Sequence, residues 1–250
     1  MSEFDGKKAV VSGATKGIGK AIATAFLESG ATVIGVYGSD RSAAETFAGE
    51  WENSAAYRPD SLFLFPCDVA DEAAVLQFFT AVEKKFDTID ILVNNAGIRK
   101  DAVLAMMAAD DWQRVIDVNL TGTFNMAKQA VLLMMKQKYG RIINITSPMA
   151  RMAFAGQANY AASKAGQIGM MRSLSRETAK RRITVNCVSP GFIDTELLHG
   201  LTDKQRAEYK NMVPVKRFGT TREVAAAVLF LAGEEASYIS GAVLEVTGGL

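Results

Sequence analysis

The sequence predicts an α/β fold, a doubly wound parallel sheet of about seven strands with helices on both faces. Three observations point there. Short β-branched runs alternate with longer segments of helical period from one end of the chain to the other. The first run passes straight into a glycine-rich turn and then a helix. No linker, low-complexity tract or internal repeat interrupts the alternation, so residues 1–250 read as one domain.

In order, the strands are KKAVVS, TVIGVY, SLFLFP, IDILVN, GRIINIT, RITVNCVS and AVLEVT. Each is short, apolar and bounded by turn or helix signals, as strands covered on both faces are. Helical patterns begin near Ile18, Arg41, Asp71, Asp110, Tyr160 and Thr221. Asp71 opens DEAAVLQFF, and Thr221 with Glu223 opens EVAAAVLFLA, both with helix-start chemistry. Residues 190–215 break the rhythm. Pro190 and Gly191 mark the start of this segment, and its mixed composition suits a mobile lid over a site.

Composition excludes several classes of function. Lys and Arg total 28 against 27 Asp and Glu, a net charge of +1, so no global field attracts nucleic acid or a membrane surface. No stretch offers the roughly 20 apolar residues of a membrane span, and the N-terminus carries no leader pattern. Cys67 and Cys187 each sit in an apolar run and read as buried, reduced thiols. His199 is the single histidine, so neither a zinc site nor a Ser-His-Asp hydrolase is well supplied, and no metal is expected. These features lead us to expect a soluble, cytoplasmic protein.

The first strand leads into SGATKGIGKAIATAF, where Gly13, Gly17 and Gly19 let backbone amides and a helix N-terminus approach a pyrophosphate. The spacing is G-x-x-x-G-x-G rather than G-x-G-x-x-G. Ser12, Gly13, Thr15, Lys16, Gly17, Ile18 and Gly19 are therefore candidate cofactor contacts. The second strand ends on Tyr37 rather than on the carboxylate that would grip the ribose 2′-hydroxyl of NAD. Lys16, Ser39 and Arg41 together suit the 2′-phosphate of NADP, although Asp40 could turn toward a ribose hydroxyl. NADPH is expected over NADH. Asp68 and Val69 in PCDVAD follow the third strand, where an adenine would sit, and NNAG brings Asn95, Ala96 and Gly97 close to the middle of the sheet.

Ser147, Tyr160 and Lys164 supply a complementary chemistry. Tyr160 and Lys164 are spaced i, i+4 on one helical face, and Ser147 follows the strand GRIINIT. An ammonium beside a phenol lowers its pKa from about 10. A hydroxyl to hold a carbonyl, a phenol to protonate it and a lysine to tune the phenol make a carbonyl-reduction site.

With these residues assembled, the chain resembles the short-chain dehydrogenase/reductase family over essentially its whole length. The likeness rests on the glycine loop, Asp68, NNAG, Asn119 in VNLTGTF, Ser147, the YxxxK of Tyr160 and Lys164, and PGFIDT. Ser12 replaces the family's usual threonine and keeps a hydroxyl. The resemblance implies a Rossmann-type fold, Tyr160 as general acid, Lys164 holding the nicotinamide ribose, and Asn119 anchoring a water chain to Lys164. It places Pro190, Gly191, Ile193 and Thr195 against the cofactor.

Within the family the chain is most similar to 3-oxoacyl-(acyl-carrier-protein) reductases, through GIRKDAVLAMM, GQANYAASKAG and the segment from Arg217 to Gly249. This implies NADPH-dependent reduction of a 3-oxoacyl thioester, on acyl carrier protein or coenzyme A, in fatty-acid biosynthesis. It also implies a homotetramer joined through the helices after strands four and five, and carrier docking at Lys138, Arg181 and Arg182. Two other readings stay open: the same chemistry on a sugar, polyol or other ketone, and a nucleotide-binding protein without turnover.

Overall fold

Seven parallel strands form one sheet in the order β3-β2-β1-β4-β5-β6-β7 in a computed structural model of the chain, which describes residues 3–198 and 202–250. They are β1 (Lys8–Ser12), β2 (Thr32–Tyr37), β3 (Leu62–Pro66), β4 (Ile91–Asn94), β5 (Gly140–Ile145), β6 (Ile183–Pro190) and β7 (Val243–Val246). All neighbouring pairs are parallel, so each strand returns through a helical crossover. The order reverses between β1 and β4. A crevice therefore opens at the carboxyl ends of the strands, where such sheets bind ligands.

The helices are α1 (Gly17–Glu28), α2 (Arg41–Glu52), α3 (Glu72–Phe86), α4 (Ala109–Ile116), α5 (Gly122–Gln137), α6 (Ala158–Thr178), α7 (Asp203–Met212) and α8 (Thr221–Ala232). One core joins the sheet to α1, α2 and α8 through Ile22, Phe26, Phe47, Val224 and Val228. The other joins it to α3, α5 and α6 through Val75, Phe78, Phe79, Met126, Met134 and Met171. Each such fully buried apolar side chain contributes roughly 1.5–3 kcal/mol. Phe26, Met126 and Met171 are among the largest, and truncating any of them would open a void. Cys67 and Cys187 are free and buried, as the sequence implied.

Strand and helix positions follow the sequence closely, with two differences. The excursion after β6 is not irregular throughout, because α7 lies within it. Thr202 accepts from the Gln205 amide while the Gln205 side chain accepts from the Thr202 amide, a capping box that starts the helix. The second difference lies between α4 and α5, which run on without a break through a π-helical turn at Asp117–Thr121. His199 lies outside the described residues. No described helix is long and apolar enough to cross a membrane, and no group of metal-ligating side chains occurs among the described residues.

Candidate active site

The carboxyl ends of β4, β5 and β6 converge on one cavity of about 500 Å³. Its wall includes Ile18 from the start of α1, Asn95 and Gly97 after β4, and Ser147 after β5. Tyr160 and Lys164 enter from α6, and Pro190, Gly191, Ile193 and Thr195 from the end of β6. Residues far apart in the chain thus meet, because a parallel sheet brings all its carboxyl ends to one edge.

Ser147 is buried and extended just beyond β5. Its Oγ accepts from the Met149 amide at 3.3 Å, which leaves the hydroxyl proton free to donate. Lys164 is buried and donates from Nζ to the Ile145 carbonyl at 2.7 Å, lying over the Tyr160 ring at 5.6 Å from its centroid. Burial pulls Lys164 down to about 8. Burial also pushes the Tyr160 phenol above its ordinary value, outweighing the Ser147 hydrogen bond and the Arg99 charge, which pull it down. The expected depression of the phenol by Lys164 is therefore reversed. Desolvation dominates, and the lysine's hydrogen bond goes to the backbone of β5.

Asn119 is fully buried in the π-turn. Its Nδ2 donates to the Ile98 carbonyl (3.0 Å) and to Ser163 Oγ (3.1 Å), while Oδ1 accepts from the Ile98 amide (2.8 Å). The side chain ties the loop after β4 to α6. A Cβ built on Gly97 would lie 3.4 Å from Asn119 Oδ1 and 3.6 Å from Lys164 Nζ, so the glycine backbone runs between them. The extra residue of the π-turn also turns the Asn119 carbonyl toward Gln167 Nε2 (2.8 Å) and Thr123 Oγ1 (2.7 Å).

Two expected cofactor residues spend their polar groups on each other. Ser12 Oγ accepts from the amides of Asn95 and Ala96, both at 3.0 Å, and Asn95 Nδ2 donates to the carbonyls of Ser12 and Gly13. This stitch holds the glycine loop against the end of β4. Gly13 (φ 65°) and Gly17 (φ 51°) adopt left-handed backbone, and a Cβ on Gly19 would fall 2.0 Å from the Gly13 carbonyl oxygen. Thr195 closes over the loop, its Cγ2 lying 3.7 Å from a Cβ built on Gly17.

These residues fit a dinucleotide. α1 carries no side-chain cap, unlike α2, α3 and α8, which Asp40, Asp71 and Thr220 cap, and it has no acid in its first turn. Its first amides and its dipole are left for an anionic ligand. At the adenosine end, Val69 is buried against Gly122, and Asp68 accepts from the Ala70 amide and pairs with Arg114 at 3.1 Å. Asp68 keeps part of its carboxylate exposed.

Beyond β2 the expected cationic pocket is partly neutralised. Lys16 pairs with Asp40, Arg41 pairs with its own helix neighbour Glu45, and Ser39 is exposed. Asp40 also caps α2 through the Ala43 amide at 3.0 Å. Lys138, Arg181 and Arg182 require a correction of place. They precede β5 and β6, at the amino edge of the sheet, whereas the site lies at the carboxyl edge. The eight residues of β6 separate the two edges by roughly 25 Å. These cations do not flank the site of their own chain.

The sequence reading missed several cavity residues: Arg99, Phe154, Gln157, Phe192 and Leu198. Phe192 stacks between Phe154 (6.2 Å between centroids) and Tyr209 of α7 (4.9 Å), which builds an aromatic wall facing Tyr160. The signal was their position next to NNAG, YxxxK and PGFIDT, since residues beside such motifs share their edge of the sheet.

A family model described as enoyl-(acyl carrier protein) reductase matches residues 13–250. The chain is 46% identical over 247 residues to the 3-oxoacyl-[acyl-carrier-protein] reductase FabG of Vibrio harveyi, covering 99% of this chain and 98% of that one. Against the FabG of Salmonella typhimurium the identity is 44% over 247 residues, with the same coverage of 99% and 98%. Nodulation protein G of Rhizobium sp. strain N33 is 43% identical over 250 residues, covering 100% and 99%. With its parallel sheet, glycine loop and Ser147–Tyr160–Lys164 cavity, the chain belongs to the short-chain dehydrogenase/reductase family of nicotinamide-dependent oxidoreductases.

Proposed function

We propose that this protein reduces a 3-oxoacyl thioester to the 3-hydroxyacyl thioester with NADPH, as a step of fatty-acid synthesis. The observation that carries the reading is the meeting of Ser147, Tyr160 and Lys164 in one cavity beside an uncapped helix N-terminus. The substrate class rests on the relatives named as 3-oxoacyl-[acyl-carrier-protein] reductases.

NADPH, when bound, supplies the hydride. The glycine loop from Gly13 to Gly19 would hold its pyrophosphate, Lys164 its nicotinamide ribose, and Ile193 with Thr195 its carboxamide end. Ser147, with its oxygen already accepting from Met149, donates to the substrate ketone oxygen and fixes it next to Tyr160. Tyr160, kept protonated by burial, gives its proton to that oxygen. Lys164 returns a proton to the phenolate, resupplied through water held by the second lone pair of Asn119 Oδ1. The segment 190–215 acts as the lid. α7 buries none of its own residues and is held mainly by Tyr209 on Phe192 and by Arg206 on Asp194 and the Leu198 carbonyl.

Carrier docking by Lys138, Arg181 and Arg182 then requires a second copy. Antiparallel packing of α5 and α6 against their mates would bring these carboxyl-end cations beside the partner's site. Phe124, Leu132 and Met135 leave an apolar stripe exposed on α5, in keeping with a homotetramer. Charge reversal at Arg181 should raise KM for a carrier-bound substrate and spare a small thioester.

The test follows NADPH absorbance with acetoacetyl-coenzyme A, simple ketones and crotonyl-coenzyme A. Rapid loss with the first is expected. Turnover confined to simple ketones, or to the enoyl thioester, would overturn the reading.

A further inference from the structure

The cavity wall contains two cationic side chains, Lys164 and Arg99, and no carboxylate side chain among the described residues. Lys164 is committed to the Ile145 carbonyl on the floor of the site. Arg99 stands at the rim, its side chain 36% exposed and its Cζ 5.8 Å from the centroid of the Tyr160 ring. Asp101 grips one edge of the guanidinium through Nε (3.4 Å) and Nη2, and Gln157 Nε2 holds Asp101 in turn at 3.0 Å. The chain Gln157–Asp101–Arg99 fixes the fork in space. Nothing accepts from Arg99 Nη1 among the described residues, and Gln157 Oε1 is buried without a donor beside it.

We propose, building on the 3-oxoacyl reading, that Arg99 binds the second oxygen of the substrate, the C1 carbonyl or carboxylate two carbons from the ketone. Ser147 and Tyr160 hold the C3 oxygen. A 1,3-dicarbonyl places its other oxygen only a few ångströms away, toward the rim rather than the floor. There a guanidinium N–H meets it with a charge-assisted hydrogen bond. Phe154 and Phe192 line the same cavity and offer an apolar surface for the acyl chain. Arg99 is thus a specificity-determining residue that favours 3-oxo thioesters or 3-oxo acids over simple ketones. A thioester and a free acid offer the same acceptor, and the substrate arms of the test separate them.

The test compares Arg99→Gln with wild type on acetoacetyl-coenzyme A, acetoacetate and a monoketone of similar size. Losing a charge-assisted contact should raise KM for the preferred dicarbonyl about tenfold, leave kcat within about threefold, and spare the monoketone. An effect on acetoacetyl-coenzyme A identifies the thioester, and one on acetoacetate alone identifies the carboxylate. Equal losses on dicarbonyl and monoketone, or no change on either, overturn the proposal. Asp101→Asn keeps an oxygen to which Arg99 can donate, so the dicarbonyl KM should rise by clearly less than with Arg99→Gln. A rise matching that of Arg99→Gln would mean that the pair only clips the loop, and would overturn it too. Failure of wild type itself on both 3-oxo substrates instead overturns the 3-oxoacyl reading and removes the ground for this one.

Discussion

Lys16 and Asp40 form an ion pair that joins the glycine loop to the turn after β2. Pairing raises the lysine and lowers the carboxyl from their ordinary values, and both side chains stay exposed at the position from which a dinucleotide's ribose is read. The pair is a choice held open. A carboxylate at that position would favour a free 2′-hydroxyl, and an ammonium a phosphate in its place.

Asp40→Asn should therefore shift cofactor preference toward NADPH. Asparagine keeps the cap on α2, so only the charge is lost. We expect the ratio of kcat/KM for NADPH over NADH to rise several-fold, and Lys16→Ala to lower it. Measuring both cofactors with one ketone decides it, and a ratio moving the opposite way would show that Asp40 assists the phosphate.

Tyr160→Phe should cut turnover by roughly 10²–10⁴-fold, the usual contribution of a positioned general acid. Cofactor affinity, read from fluorescence titration, should stay nearly unchanged. A variant retaining most of its rate would mean that another group protonates the ketone oxygen.

The pH profile should follow Lys164 before Tyr160. Burial holds the phenol above its ordinary value, so it remains an acid through neutral pH, while Lys164 titrates at about 8. For reduction, kcat/KM should be level below about 8 and fall above it as the ammonium loses its charge. Lys164→Arg, charged throughout, should flatten that limb; a limb that persists would assign it to another residue.

Stability should move the other way. Between about 8 and 10.5 the unfolded chain binds a proton at Lys164 that the folded chain has lost, so stability rises with pH across that window. Below it the full cost of burying the charge remains. Lys164→Met should stabilise the inactive protein by about 1–3 kcal/mol at pH 7, with the gain fading toward 10.5. Denaturant melts at pH 7 and pH 10 test this, and a pH-independent gain would refute the assignment.

Gly19→Ala should weaken or abolish nucleotide binding, because the new methyl would fall 2.0 Å from the Gly13 carbonyl oxygen and 2.4 Å from Asn95 Nδ2. The collision with backbone cannot be relieved by a rotamer change. Binding of wild-type strength would show that the loop can re-form.

Much of the fold was legible because a parallel sheet buried on both faces writes each strand as an apolar run. GRIINI and RITVNCVS needed no context to be recognised. The meeting of three candidate site residues in one cavity was legible for a related reason, since Ser147 follows a strand and Tyr160 and Lys164 share a helix face. Partnerships formed across the chain were not. That Asn95 would spend its amide on Ser12, or Lys16 its charge on Asp40, depends on register and loop shape rather than on local pattern. The direction of the Tyr160 shift was hidden too, because burial is a property of the assembled cavity. Arg99 is not singled out by any local pattern, and only the fold sets it beside the phenol.

The π-turn at Asp117–Thr121 makes the length of this stretch matter as much as its composition. A wide turn is an α-helix holding one surplus residue, and removing any single residue from 117–121 would let it relax to the ordinary pitch. Everything on its amino side would then rotate by about 100° relative to α5. Asn119 would leave the loop it ties, and α4 would lose its seat. Homologous chains aligned without a gap here should share the bulge. A one-residue gap in an otherwise well-aligned relative would flag a protein whose counterpart of Asn119 no longer ties the loop after β4 to α6, whatever its tyrosine and lysine suggest.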